Sequence, residues 1–142
     1  MNNEKMIKIT DTQTDIESGE QDSVEVTVRG TLCGEGGDYV LNFDEIFAEG
    51  MQSHTVLTVQ HGSCVSIVRS GDVITELQLE LGKRHICLYS TPYGDMNIGI
   101  YAKEINSDMT AEGGTLRLEY TIDYNGALTA RKQMQIEVKK ND

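Results

Sequence analysis

Two cations stand where an apolar residue is expected. Arg69 shares its alternating face with Val65 and Ile67. Lys132 shares its face with Leu128, Ala130, Met134 and Ile136. A cation on an apolar face needs a carboxylate, a hydroxyl or an aromatic ring, because burying an uncompensated charge is costly. Two tyrosines at matching places, Tyr89 and Tyr120, supply hydroxyls and rings. Together these four residues could bind a small polar or anionic group. The competing reading is that a bulge turns Lys132 outward, or that both stems snorkel to a rim.

Other chemistry is weakly supported by spacing. His85 and Cys87 are two apart and share one face, and His61 and Cys64 flank a turn. Zinc needs three or four converging ligands, and neither pair has an evident second pair, so no metal is expected. His54 and His61 fall at opposite ends of one strand. Ser63 beside His61 reads as a turn residue, and there is no G-x-S-x-G nucleophile motif. The glycines of Gly34-Glu35-Gly36-Gly37 lie between two strands rather than before a helix, which excludes a phosphate loop. Asp44-Glu45 and Asp22 with Glu25 offer carboxylates for acid–base work, but strand neighbours point apart and a wet face explains them. An enzyme is therefore less expected than a binding protein, and no cofactor is implied.

The elements that position these residues are strands. About a quarter of the 142 residues are Val, Ile or Thr, the β-branched types that suit a pleated sheet. Apolar residues recur with period 2: Val24, Val26 and Val28 alternate with polar residues, as do Leu116, Leu118, Tyr120 and Ile122. One apolar and one wet face per strand means antiparallel sheet. Turn residues divide the chain into strands near 24–33, 39–45, 54–60, 64–70, 73–81, 84–91, 95–106, 114–124 and 128–139, with a short one at 6–12. Residues 46–53 read as a helical turn or a loop. The connections are too short for crossovers, so neighbours pair as a meander. Eight to ten such strands remove their exposed edges by closing into a barrel. The expectation is one β-barrel domain over 1–142, with 1–22 loosely ordered.

Hairpin registers follow from matching apolar faces. A three-residue loop at 125–127 sets Leu116, Leu118, Tyr120, Ile122 and Tyr124 against Ile136, Met134, Lys132, Ala130 and Leu128. A three-residue loop at Ser70-Gly71-Asp72 sets Val65, Ile67 and Arg69 against Leu77, Thr75 and Val73. A two-residue loop at Tyr93-Gly94 sets Cys87, Tyr89 and Thr91 beside Ile100, Ile98 and Met96. These registers place Arg69 at a barrel mouth and Lys132 midway along its strand.

The charge balance narrows partners. Twelve Lys and Arg against 23 Asp and Glu give a net charge of −11. A nucleic-acid surface needs clustered cations, so no nucleic acid is expected. No stretch approaches the ~20 apolar residues of a membrane span, and MNNEKMIKITDTQTD lacks the apolar region of a signal peptide. The expected address is cytoplasmic, with no membrane contact. Cys33, Cys64 and Cys87 are odd in number and suit reduced thiols. The assembly expected is a monomer or homodimer.

The runs VSIVRSGDVITELQLELG and LYSTPYGDMNIGIYAKEI resemble the YwiB-like family of bacterial calycin-like, lipocalin-type β-barrel proteins of unknown function. The resemblance rests on Ile67, Arg69 and Gly71, on Gly82, and on Tyr89, Thr91, Pro92, Tyr93 and Gly94. It extends to GEGGDYVLNFDE upstream and to the closing hairpin TLRLEYTIDYNGALTARKQMQIEV. It implies a closed or nearly closed antiparallel barrel and supplies no activity. By fold analogy the leading expectation is non-enzymatic binding of a small molecule, in one form anionic, held by Arg69, Tyr89, Tyr120 and Lys132. The alternative is an interaction or structural protein with a filled lumen, acting through its acidic surface or dimerisation. Lumen volume separates the two: about 300 Å³ or more favours a ligand.

Overall fold

The computed structural model describes residues 4–46, 50–92 and 94–140. Ten antiparallel strands close into a barrel: β1 (Glu4–Asp15), β2 (Gln21–Glu35), β3 (Asp38–Ile46), β4 (Gln52–Gln60), β5 (Cys64–Gly71), β6 (Ile74–Glu80), β7 (Arg84–Thr91), β8 (Gly94–Ser107), β9 (Gly114–Tyr124) and β10 (Ala127–Lys140). Every strand pairs with its neighbours in sequence, and β1 pairs with β10 to close the ring. The described residues contain no α-helix. The meander expected from short connections is the one observed.

The segment expected to be loosely ordered holds β1. Its residues pair on both sides, from Lys5↔Lys140 to Asp15↔Ala130 on β10 and from Glu4↔Thr31 to Thr14↔Gln21 on β2. The short strand expected at 6–12 is longer, Glu4–Asp15, because its backbone completes both ladders past the polar residues Thr12 and Gln13. Of residues 46–53, Ile46 ends β3 and Gln52 begins β4, while 47–49 lie outside the described residues.

Three hairpins differ from expectation in the length or position of the turn. At β9–β10 the pairs Leu116↔Ile136, Leu118↔Met134, Tyr120↔Lys132 and Ile122↔Ala130 stand as expected. The turn itself is two residues long, and Tyr124 pairs with Ala127 rather than Leu128. Asn125 at φ 53° and Gly126 at φ 88° give the primed turn that matches strand twist, and a bulge between Leu128 and Ala130 restores the apolar register. At β5–β6, Arg69 faces Thr75 and Val65 faces Leu79, two residues from the expected pairing. At β7–β8, Cys87 faces Ile98 and Tyr89 faces Met96, again two residues away. The last pair there is Thr91↔Gly94; Tyr93 lies outside the described residues. Both slips are even, so every side chain keeps its face.

The inward residues fill one end of the lumen. Ile7, Leu41, Val59, Val65, Leu79, Ile100 and Leu116 are each at most 1% exposed. Such a close-packed layer leaves no room for a ligand. Toward the other end the inward positions turn polar: Asp11, Glu45, Ser53, Thr55, Arg69, Thr75 and Lys132.

Candidate ligand-binding cavity

The polar end of the lumen holds a cavity of about 650 Å³. Its wall is apolar over most of its area, with Ile9, Phe43, Leu57, Ile67, Met134 and Ile136 below and Val24, Val26 and Val28 along one side. The charged members are Asp11, Asp44, Glu45 and Arg69. A volume of this size lies within the ~300–1,000 Å³ of small-molecule sites.

The cavity opens sideways because β2 and β3 part company. Their ladder runs from Glu35↔Asp38 to Gly30↔Phe43 and stops. Below that point β2 stays with β1, and β3 stays with β4 down to Ile46↔Gln52. Gly30 marks the fork. A Cβ there would stand 2.2 Å from the Asn42 carbonyl oxygen and 2.7 Å from Ile7 Cδ1, so only glycine lets the chains approach. Past the fork, Val24 is 59% exposed and Val26 38%, although both point inward.

Two ion pairs occupy the polar end. Arg69 Nε donates to Glu45 Oε1 at 2.9 Å, and Thr55 Oγ1 donates to the same oxygen. The two charged side chains are 15% and 14% exposed. Lys132 Nζ donates to Asp11 Oδ2 at 2.8 Å, with 18% and 29% exposure. Asp11 Oδ1 is shielded and has no hydrogen-bond partner among the described residues. Lys132 therefore points inward, as its register requires, and the bulge in β10 does not turn it out.

The four residues selected from the sequence do not play equal parts. Arg69 is on the cavity wall. Lys132 reaches it through Asp11, while Tyr120 and Tyr89 are not part of the wall. Tyr120 is Lys132's cross-strand partner and is 2% exposed. Burial pushes its phenol well above the ordinary range, and the Asp11 carboxylate adds to this while Arg69 opposes it. Tyr89 packs, partly buried, against the core.

The wet face expected for Asp44-Glu45 holds for Asp44 alone: Glu45 turns inward, 14% exposed, to pair with Arg69, and Asp11, the anion of Lys132, was not singled out. A signal for both existed. Leu41, Phe43 and Glu45 alternate, as do Ile7, Ile9 and Asp11, so each carboxylate ends an apolar face just as Arg69 does. Asp44 and Glu45 point apart as expected: Asp44 is 86% exposed and meets His54 Nδ1 at 2.8 Å. The remaining pairs are engaged locally. His85 meets Glu80 at 3.2 Å, and Cys87 accepts from the Gln78 amide at 3.3 Å. Burial raises the Cys87 thiol above its ordinary value. Among the described residues no three His, Cys, Asp or Glu side chains converge on a metal position. No helix among them is long and apolar enough to cross a membrane.

Comparison with known proteins agrees with the fold. A family model described as "Domain of unknown function (DUF1934)" matches residues 7–136. The crystal structure of the ywiB protein from Bacillus subtilis superposes with a TM-score of 0.81 at 22% identity, covering 100% of this chain and 96% of that one. At that identity the likeness shows a shared fold. No curated protein matches the chain.

Proposed function

The chain belongs to the DUF1934 family, whose description assigns no activity, and from that premise we propose that it binds a small molecule in the cavity at the polar end of its lumen. The carrying observation is the cavity itself: about 650 Å³ of largely apolar space with only a few charged groups on its wall.

The ligand is uncharged overall and mostly apolar. The anionic form of the expectation loses its support because neither cation is available as a free counter-charge. Arg69 is held by Glu45 and Lys132 by Asp11, so the inner charges cancel in pairs. An anion entering would meet Asp11, Glu45 and Asp44 as well as Arg69. A neutral molecule gains from the valine and isoleucine walls, and its polar atoms can turn toward the ion pairs. Binding is favoured over turnover because the two inward carboxylates are already committed to cations, which leaves neither as a free base.

The test is equilibrium binding of two fluorescent probes, neutral N-phenyl-1-naphthylamine and anionic anilinonaphthalene sulfonate, with native mass spectrometry of protein from its own host. The neutral probe should bind saturably at one site and more tightly. Val24→Glu, at an exposed wall position, should weaken it about tenfold by removing apolar contact. Absence of saturable neutral binding and of any co-purified small molecule refutes the proposal. Preferential binding of the anionic probe that depends on Arg69 restores the anionic reading instead.

A further inference from the structure

We propose that the open edge of β2, Gln21–Arg29, is a strand-addition site for an extended peptide segment that alternates apolar and basic side chains. These nine residues pair with β1 on one side only. On the other side β3 leaves at Gly30, and no strand among the described residues takes its place. In an antiparallel strand every second residue turns its N–H and C=O toward each side, so this edge offers a row of donors and acceptors ready for a further strand. Proteins blunt such an edge with charged side chains, Pro, a bulge or a very short strand, and of these the free edge of β2 has only the charges of Asp22, Glu25 and Arg29. β2 is 15 residues long, has no Pro, and its ladder with β1 runs without a register shift.

The side chains beside the edge specify what kind of strand fits. On the inner side Val24 and Val26 are 59% and 38% exposed, and Ile46, 74% exposed, ends β3 at the rim of the opening. An added strand would cover them with its own inward residues, which must be apolar. On the outer side stand Glu25 and Asp44, 60% and 86% exposed, while Asp22 shares the inner face with Val24 and Val26 toward the end of the edge. Lys8 offsets Glu25 in part, at 3.4 Å, and Arg29 lies at the fork. The chain as a whole carries −11. Outward residues of the partner are therefore basic, which also speeds encounter.

A second copy of this chain is the poorer occupant. Antiparallel pairing of Gln21–Arg29 with itself about a two-fold axis centres on Glu25 and sets it against its own copy. Like charges opposite each other destabilise a ladder, and two chains of −11 repel. The strand-addition site shares Val24 and Val26 with the cavity wall, and a strand there covers the opening whether or not a ligand lies behind it.

The experiment uses the full chain and a synthetic nonapeptide of alternating lysine and valine, about as long as the free edge. Its controls are a peptide of the same composition with valines and lysines in blocks, and a version N-methylated on alternate amides of one face or the other. Fluorescence anisotropy should show saturable binding of the alternating peptide. Hydrogen exchange should slow across Gln21–Arg29. Binding should fall about tenfold or more with the block peptide and with one of the two N-methylated faces, because a strand pairs through one edge. Glu25→Lys with Asp44→Lys, both at exposed positions, should transfer preference to an alternating glutamate–valine peptide. Equal binding of the block peptide would reduce the effect to bulk charge and overturn the proposal. So would binding without protection of Gln21–Arg29. Protection of that segment in the peptide-free protein, growing with protein concentration, would assign the edge to a second copy.

Discussion

Replacing Lys132 with Met tests the inward ion pair directly. Lys132 Nζ pairs with Asp11 Oδ2 at 2.8 Å, and the two side chains are 18% and 29% exposed. Truncating the cation strands a carboxylate that already has one unpartnered oxygen. Breaking a fully buried pair costs about 3–5 kcal/mol, and partial solvent access here brings the expected loss to about 2 kcal/mol. For a chain of this length that is roughly 6–8 °C in Tm. Had Lys132 been neutralised by Tyr120 alone, the same substitution would be nearly neutral. The double variant Asp11→Leu with Lys132→Met removes both charges and adds apolar surface beside Met134 and Tyr120. It should return to within about 1 kcal/mol of the parent, because replacing both members of an inward pair is commonly neutral or stabilising. Urea unfolding of the parent, Lys132→Met, Asp11→Leu and the double variant, followed by circular dichroism at pH 7, gives the four free energies, with an unchanged m-value as the check that the transitions are comparable. The coupling energy from the cycle should be about 2 kcal/mol. A Lys132→Met loss under about 0.5 kcal/mol, with the double variant merely additive, would refute the inward pairing and the register behind it.

Gly30→Ala should destabilise by about 3 kcal/mol, since the new Cβ meets the Asn42 carbonyl oxygen, Ile7 and Phe43 at once; unfolding midpoints check it, and a neutral result would remove Gly30 as the fork. Asp123 loses stability to acid in a defined window: its carboxyl is held below its ordinary 3.8, chiefly by the Arg84 guanidinium. A depressed folded value means the contribution is complete above about pH 4 and disappears as pH falls through the folded value, so Asp123→Asn should flatten the acid limb of a stability–pH curve there. The thiols should separate by rate: exposed Cys33 reacts first with a disulfide reagent, and Cys87, buried and with its thiol pushed up, reacts only on unfolding. Fast loss of Cys87 in the native protein, followed by peptide mapping, would contradict its buried placement.

Sequence alone determined the faces. Period 2 is a local property, so Val65, Ile67 and Arg69 point inward whether the β5–β6 pairing is placed correctly or two residues away. The same holds for Cys87 and Tyr89. Turn length was not legible to that precision, because a two-residue turn with a bulge and a three-residue loop bring the same apolar residues together at β9–β10. The inward direction of Arg69 and Lys132 could be read from their neighbours; the identity of their anions could not. Asp11 lies 121 positions from Lys132 and meets it only because β1 closes against β10. Glu45 meets Arg69 only because β3 and β5 flank β4. The cavity and its side opening belong wholly to the tertiary structure. They arise where two strands that pair at one end diverge at the other. A gap in a ring of ten strands is set by the geometry of the whole ring and has no signature in any single strand.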